Sequence, residues 1–282
     1  MTVIFDGIAS GMLLFLISVG LSVTLGLMNF VNLAHGAFAM LGGYVCVILL
    51  NQAGVPFLAT LPLATAATAL VGVGLERILY RRLYASSHLD QVLFSISLVF
   101  MSISAAQYFF GAQQQPVKLP DFLQGQFNIP GIDVGVYRLF LIMVGLVVAF
   151  GLQWLLGSTR FGAQLRASVD NPRTARCLGI NVDRVFVLAF ALGTGLAGLG
   201  GALGIDTLGL DPSFPVKYIV YFLIVVAVGG SGNIKGSLIA SLILGICDVA
   251  GKYYIPQVGA FVIYTVMVAM LIFRPQGLFG RK

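Results

Sequence analysis

Long apolar runs separated by short polar stretches set the rhythm of this chain. A helix needs about 20 mostly apolar residues to cross roughly 30 Å of hydrocarbon, and windows of that kind run near 8–27, 57–75, 91–110, 138–156 and 185–204. Shorter or interrupted candidates lie near 34–50, 217–230, 236–251 and 259–273. The pattern predicts an all-α polytopic membrane protein of eight to nine transmembrane segments, forming a single transmembrane domain over residues 1–282.

One interruption does not look like an ordinary connection. Between Leu27 and Tyr44 the chain places Asn29, Asn32, His35 and Gly36 where the flanking runs would otherwise make one apolar stretch of about two spans. Hydrocarbon satisfies neither amides nor an imidazole, so these groups need partners or a wet cavity. The spacing predicts a discontinuous element near residues 28–36 that lines a path through the membrane, as broken helices do in transporters. The alternative is a tight loop at the membrane edge, where the same side chains would meet water.

Charge then orients the spans. With the N-terminus outside and every candidate counted as a crossing, residues 76–90, 157–184, 231–235 and 274–282 fall inside. Twelve of the 16 Lys and Arg then lie inside, leaving Lys118, Arg138, Lys217 and Lys252 outside. Such a bias predicts an N-out, C-in topology. Tyr80 and Tyr84 beside Arg81 and Arg82, and Tyr253 and Tyr254 beside Lys252, read as a belt of interfacial anchors. The outer stretch 111–136 reads as a solvated connector or as a docking surface for an extracytoplasmic partner.

Composition agrees: 59% of residues are hydrophobic and 9% charged, against roughly a quarter charged in soluble domains. The net charge of +6 is gathered in loops between spans, so it speaks for membrane orientation rather than nucleic-acid binding. Cys46, Cys177 and Cys247 form no disulfide framework. Asp6 is the only charge before the first apolar run, which therefore reads as a retained span rather than a signal peptide.

The segment 157–184 is a charged island, with Arg160, Arg166, Arg173, Arg176 and Arg184 against Asp170 and Asp183. Thr159 is placed to cap a helix over about Phe161–Val169. Asn171 caps a second from Pro172 to Leu178, with proline at the first helical position and Gly179 at the left-handed residue after the end. Helices this short are marginal in water and need a surface to rest on. Ala175 and Leu178 supply apolar contacts and Arg166, Arg173 and Arg176 polar ones, either to a cytoplasmic partner or to the protein's own membrane face.

Catalytic readings find little footing. Gly193 to Gly198 matches GxGxxG only inside an apolar span, where small residues serve close helix packing, as do Gly7 with Gly11, Gly200 with Gly204 and Ala197 with Gly201. The run Gly229 to Ser237 lacks the Gly-Lys-Ser/Thr order of a phosphate loop. His35 and His88 have no carboxylate or zinc-ligand spacing nearby. Neither an enzyme nor a cofactor is expected. Ion coupling calls for carboxylates buried in the spans, and only Glu76 and Asp248 qualify, both near span ends, which gives it little support.

Taken in order, Leu27–Gly36 through Gly42-Gly43-Tyr44, Thr159-Arg160-Phe161-Gly162 through Asn171-Pro172 and Leu178-Gly179-Ile180-Asn181, and Gly209-Leu210-Asp211-Pro212-Ser213-Phe214 with Gly229-Gly230 resemble the permease subunits of branched-chain amino acid ABC transporters. The similarity covers nearly the whole chain, and the short form resembles the smaller of the two permeases in such systems. It implies a multi-pass protein of the bacterial inner membrane working with a second homologous permease, two cytoplasmic ATP-binding subunits and an extracytoplasmic solute-binding protein. It implies that ATP is hydrolysed in those partners. Residues 158–184 would then be the coupling loop seated on an ATPase, with Arg166, Asp170, Asn171, Arg173, Ala175, Leu178 and Gly179 at the contact. Relatives of this architecture also carry urea, short amides and other small solutes. The rival from another class is an ion-gradient-driven carrier or channel.

Overall fold

The structure is a computed structural model that describes residues 2–28, 30, 32–84, 86–117, 119–129, 132–230 and 232–279, apart from the side chains of residues 27, 28, 127–129, 132 and 133. Two apolar helices, α1 (Thr2–Met28) and α9 (Val182–Leu208), form its centre, because both carry small or apolar residues on every face. Around them run α2 (His35–Asn51), α3 (Phe57–Leu75), α10 (Phe214–Gly229), α11 (Ile234–Tyr254) and α12 (Gly259–Phe273). On the outside, α5 (His88–Phe110) and α6 (Val136–Ser158) present Phe100, Phe109, Val147, Phe150 and Trp154 outward. Among the described residues six helices are long and apolar enough to cross a membrane, and α2, α10 and α12 are shorter apolar helices. The chain is an all-α, multi-pass membrane protein apart from one antiparallel hairpin, β1 (Gln126–Ile129) with β2 (Ile132–Gly135), in the connector before α6.

Glycine sets how closely the central helices approach. A Cβ at Gly11 would lie 2.9 Å from Leu242 Cα of α11, and one at Gly201 would collide with the Ala39 carbonyl of α2. The GxGxxG run lies buried inside α9, with Gly193 against α1 and Gly195 and Gly198 against Thr65 and Thr68 of α3. In lipid, where apolar burial does not favour association between helices, close backbone contact of this kind holds a bundle together.

The third helix departs from the sequence expectation. It does not stop at residue 75 but continues through a π-helical turn, Glu76–Tyr80, into a last short turn, α4 (Arg81–Leu83). That continuation carries Tyr80 into the bundle, where it is fully buried rather than anchored at the interface. The burial is tolerated because its ring packs among aromatic neighbours and its hydroxyl finds an acceptor. Tyr253 and Tyr254, by contrast, stand exposed at the end of α11.

Candidate functional site

The break between α1 and α2 is a buried polar element. Asn29 lies outside the described residues, and Asn32 and His35 are each 1% exposed. Asn32 folds an Asx turn at the start of α2: its Oδ1 accepts from the Ala34 N–H at 3.1 Å and from the Tyr80 hydroxyl at 3.0 Å. Phe30 wedges edge-on against Tyr80 and Tyr84, with ring centroids 5.2 and 5.8 Å away. His35 opens α2 and donates through Nε2 to the Ile17 carbonyl of α1 at 2.7 Å, so Nδ1 carries the ring's lone pair. Gly36 faces α10, where a Cβ would lie 2.9 Å from Pro215 Cα.

Two polar atoms are left over. Asn32 Nδ2 and His35 Nδ1 are buried without a hydrogen-bond partner. An unpaired buried donor or acceptor typically costs about 1–3 kcal/mol. Glu76 repeats the pattern one turn above Tyr80: Oε1 accepts from the Tyr84 hydroxyl at 3.0 Å and Oε2 has no partner. The Asp248 carboxylate on α11 is held by Lys252 at 2.6 Å through Oδ2, leaving Oδ1 unpartnered. Four of the side chains that the sequence marks as out of place in hydrocarbon are thus incompletely satisfied, as are two that it does not mark, the hydroxyls of Tyr44 and Ser168.

The charged island forms the two short helices the sequence predicts, the first longer by one residue at each end and the second shorter by one at its C-terminus. α7 spans Arg160–Asp170, with Thr159 Oγ1 accepting the Gly162 N–H. α8 spans Pro172–Cys177, with Asn171 Oδ1 accepting the Arg173 and Thr174 N–H groups at 3.1 and 3.0 Å. Gly179 takes φ +81° and the Ile180 N–H returns to the Ala175 carbonyl, closing the helix end. α7 rests on the protein itself: Leu165 joins Val23, Leu156, Val185 and Ala189 in one apolar cluster, and Arg166 donates to the Leu156 carbonyl.

Here the expected apolar pair divides. Ala175 is 2% exposed and faces inward, so it offers nothing to a partner, whereas Leu178 is 74% exposed. Asp170, Asn171 and Arg173 lie at the surface beside it. Two features of this region have no sequence signature. Arg176 of α8 and Arg81 of α4 both pair with the Asp183 carboxylate at the start of α9. A cavity of about 1010 Å³ opens between α7, the ends of α1, α6, α10 and α12, and the turn into α11. Neither Asn32 nor His35 lines it.

Residues 3–271 match the family described as "Branched-chain amino acid transport system / permease component". The high-affinity branched-chain amino acid transport system permease protein BraD of Pseudomonas aeruginosa is 26% identical over 98% of this chain and 94% of its own length. The corresponding protein LivH of Escherichia coli (strain K12) is 27% identical over the same shares. A shorter match, 32% identical over 35% of this chain and 31% of the relative, is the autoinducer 2 import system permease protein LsrC of Salmonella paratyphi B. No solved structure matches the chain.

Proposed function

The chain belongs to the family of permease components of branched-chain amino acid transport systems, and from that premise we propose that it is the transmembrane permease subunit of an ATP-driven importer. Its cargo is a branched-chain or related hydrophobic amino acid. It works with a second homologous permease, two cytoplasmic ATP-binding subunits and an extracytoplasmic solute-binding protein, in the bacterial inner membrane. In this reading the six long and three short apolar helices make nine crossings, with the N-terminus outside and α7–α8 in the cytoplasm. Asn29, Asn32, His35 and Gly36 border the translocation path, and the unpartnered Asn32 Nδ2 and His35 Nδ1 find water or cargo when the bundle reorients.

The observation that carries this proposal is the capped α7–α8 hairpin, held between two long apolar helices with Leu178 bare at the C-terminal end of α8. A docked ATPase moves the spans only if its contact differs in free energy between their inward- and outward-facing arrangements. The hairpin has routes for that difference. α7 is packed on α1, α6 and α9, and α8 reaches α4 through Asp183. Tyr80, directly before α4, holds Asn32 of the break.

Leu178→Arg tests the docking role, because the residue is exposed and its replacement leaves the core untouched. ATPase co-purification and ATP-driven uptake are expected to fall together, by tenfold or more for a lost apolar anchor of about 2 kcal/mol. Survival of both would remove the hairpin from the coupling. Two observations favour narrower alternatives. The match to an autoinducer permease over a third of the chain favours a different small solute on the same machine, which a panel of labelled solutes resolves. The half-satisfied buried carboxylates Glu76 and Asp248 favour an ion-driven carrier, which would take up solute without ATP or partners.

A further inference from the structure

The cavity of about 1010 Å³ is amphipathic by construction. Its apolar lining comes from the last turns of three spans, at Leu25 of α1, Leu156 of α6 and Leu271 of α12, and from Leu223 further inside α10. Its charged lining comes from just beyond those ends: Arg166 and Asp170 of α7, and Lys235 at the start of α11. The cavity therefore straddles the level at which hydrocarbon gives way to headgroups. Ligand pockets of about 300–1,000 Å³ suit drug-sized molecules, so this one is much larger than a single amino acid requires.

The charges favour an anion. Arg166 and Lys235 outnumber Asp170, and among the described residues Lys235 has no ion-pair partner. A free inorganic anion would use these cations and leave the leucine wall bare. A phospholipid uses both ends. Basic pockets between spans on the cytoplasmic side are suited to anionic headgroups. We infer that this cavity holds one anionic phospholipid of the cytoplasmic leaflet, its phosphate against Lys235 and Arg166 and its acyl chains along Leu25, Leu223 and Leu271. The inference rests on the orientation given under Proposed function. Because α7 forms one wall, an occupied cavity braces the hairpin from behind.

The test uses the assembled complex, delipidated and titrated with phosphatidylglycerol or phosphatidylcholine under native mass spectrometry. Phosphatidylglycerol is expected to be retained preferentially. Lys235→Gln should lower that retention about fivefold, the effect of one lysine at an anionic surface. Ala227→Trp narrows the apolar end from an exposed position on α10 and should lower it with Lys235 still present. Equal retention of the two lipids, wild-type retention in both variants, or displacement of the lipid by inorganic phosphate alone would overturn the proposal. Labelling from each side with an impermeant maleimide, compared with Cys177→Ser, keeps the two readings apart. Cys177 labelled from outside overturns the orientation and the leaflet assignment together. Cys177 labelled only from inside, with lipid retention unselective, overturns the lipid site alone.

Discussion

At the scale of single residues, the bond between Tyr80 and Asn32 shows what a sequence reveals of a membrane protein's interior and what it conceals. Asn32 and His35 are legible because amides and imidazoles in an apolar run call for an explanation. Tyr80 is not legible, because a tyrosine beside arginines near a span end reads equally well as an interfacial anchor. What removes it from the interface is the aromatic pocket of Phe30, Phe94 and Phe190, which are far apart in the chain. Ala175 is a similar case: helical position and capping are local, but which face of a six-residue helix turns inward depends on what lies beneath. Tyr80→Phe keeps the ring and removes the hydroxyl, leaving Asn32 Oδ1 with only the Ala34 N–H. We expect a loss of about 1 kcal/mol, read as a lower midpoint of thermal unfolding in detergent with normal assembly. An unchanged midpoint would mean that the bond adds nothing.

At the scale of elements, most helices follow from length and hydropathy, and the caps of α7 and α8 follow from Thr159, Asn171, Pro172 and Gly179. The continuation of α3 does not, because a π turn inserts one residue into a helical ladder and leaves no mark in composition. Small-residue spacing announces close packing without naming the partners. The structure shows that Gly7 and Gly11 meet α11, and that Gly200 and Gly201 meet α1 and α2. Gly201→Leu would force α9 away from the Ala39 carbonyl, and we expect it to destabilise the fold by at least about 1–3 kcal/mol. Gly151→Ala is the matched control, since a Cβ there meets nothing within 4 Å and alanine is the better helix former by about 1 kcal/mol. Thermal unfolding of the two variants in the same detergent should separate them clearly. Equal midpoints would contradict the close approach of α9 to α2.

At the scale of the whole molecule, the bundle divides into an inner pair and an outer shell with different duties. α1 and α9 are largely buried, while fewer than a third of the residues in the apolar windows of α3, α5 and α6 are buried. That surface needs lipid or a second permease against it, since a monomer in water would leave Phe100, Phe150 and Trp154 bare. The two candidate regions sit at different depths, the polar break inside the bundle and the hairpin at its edge. They are joined through Asp183, Arg81 and Tyr80. An importer driven from its cytoplasmic face requires such a link, whereas a self-contained carrier does not. The most direct measurement is uptake of labelled branched-chain amino acid into proteoliposomes holding either this chain alone or the complete assembly with its ATP-binding subunits. The account predicts uptake only in the assembly, only with ATP, and abolished by Leu178→Arg. Uptake by the isolated chain down an ion gradient, without ATP or partners, would contradict it.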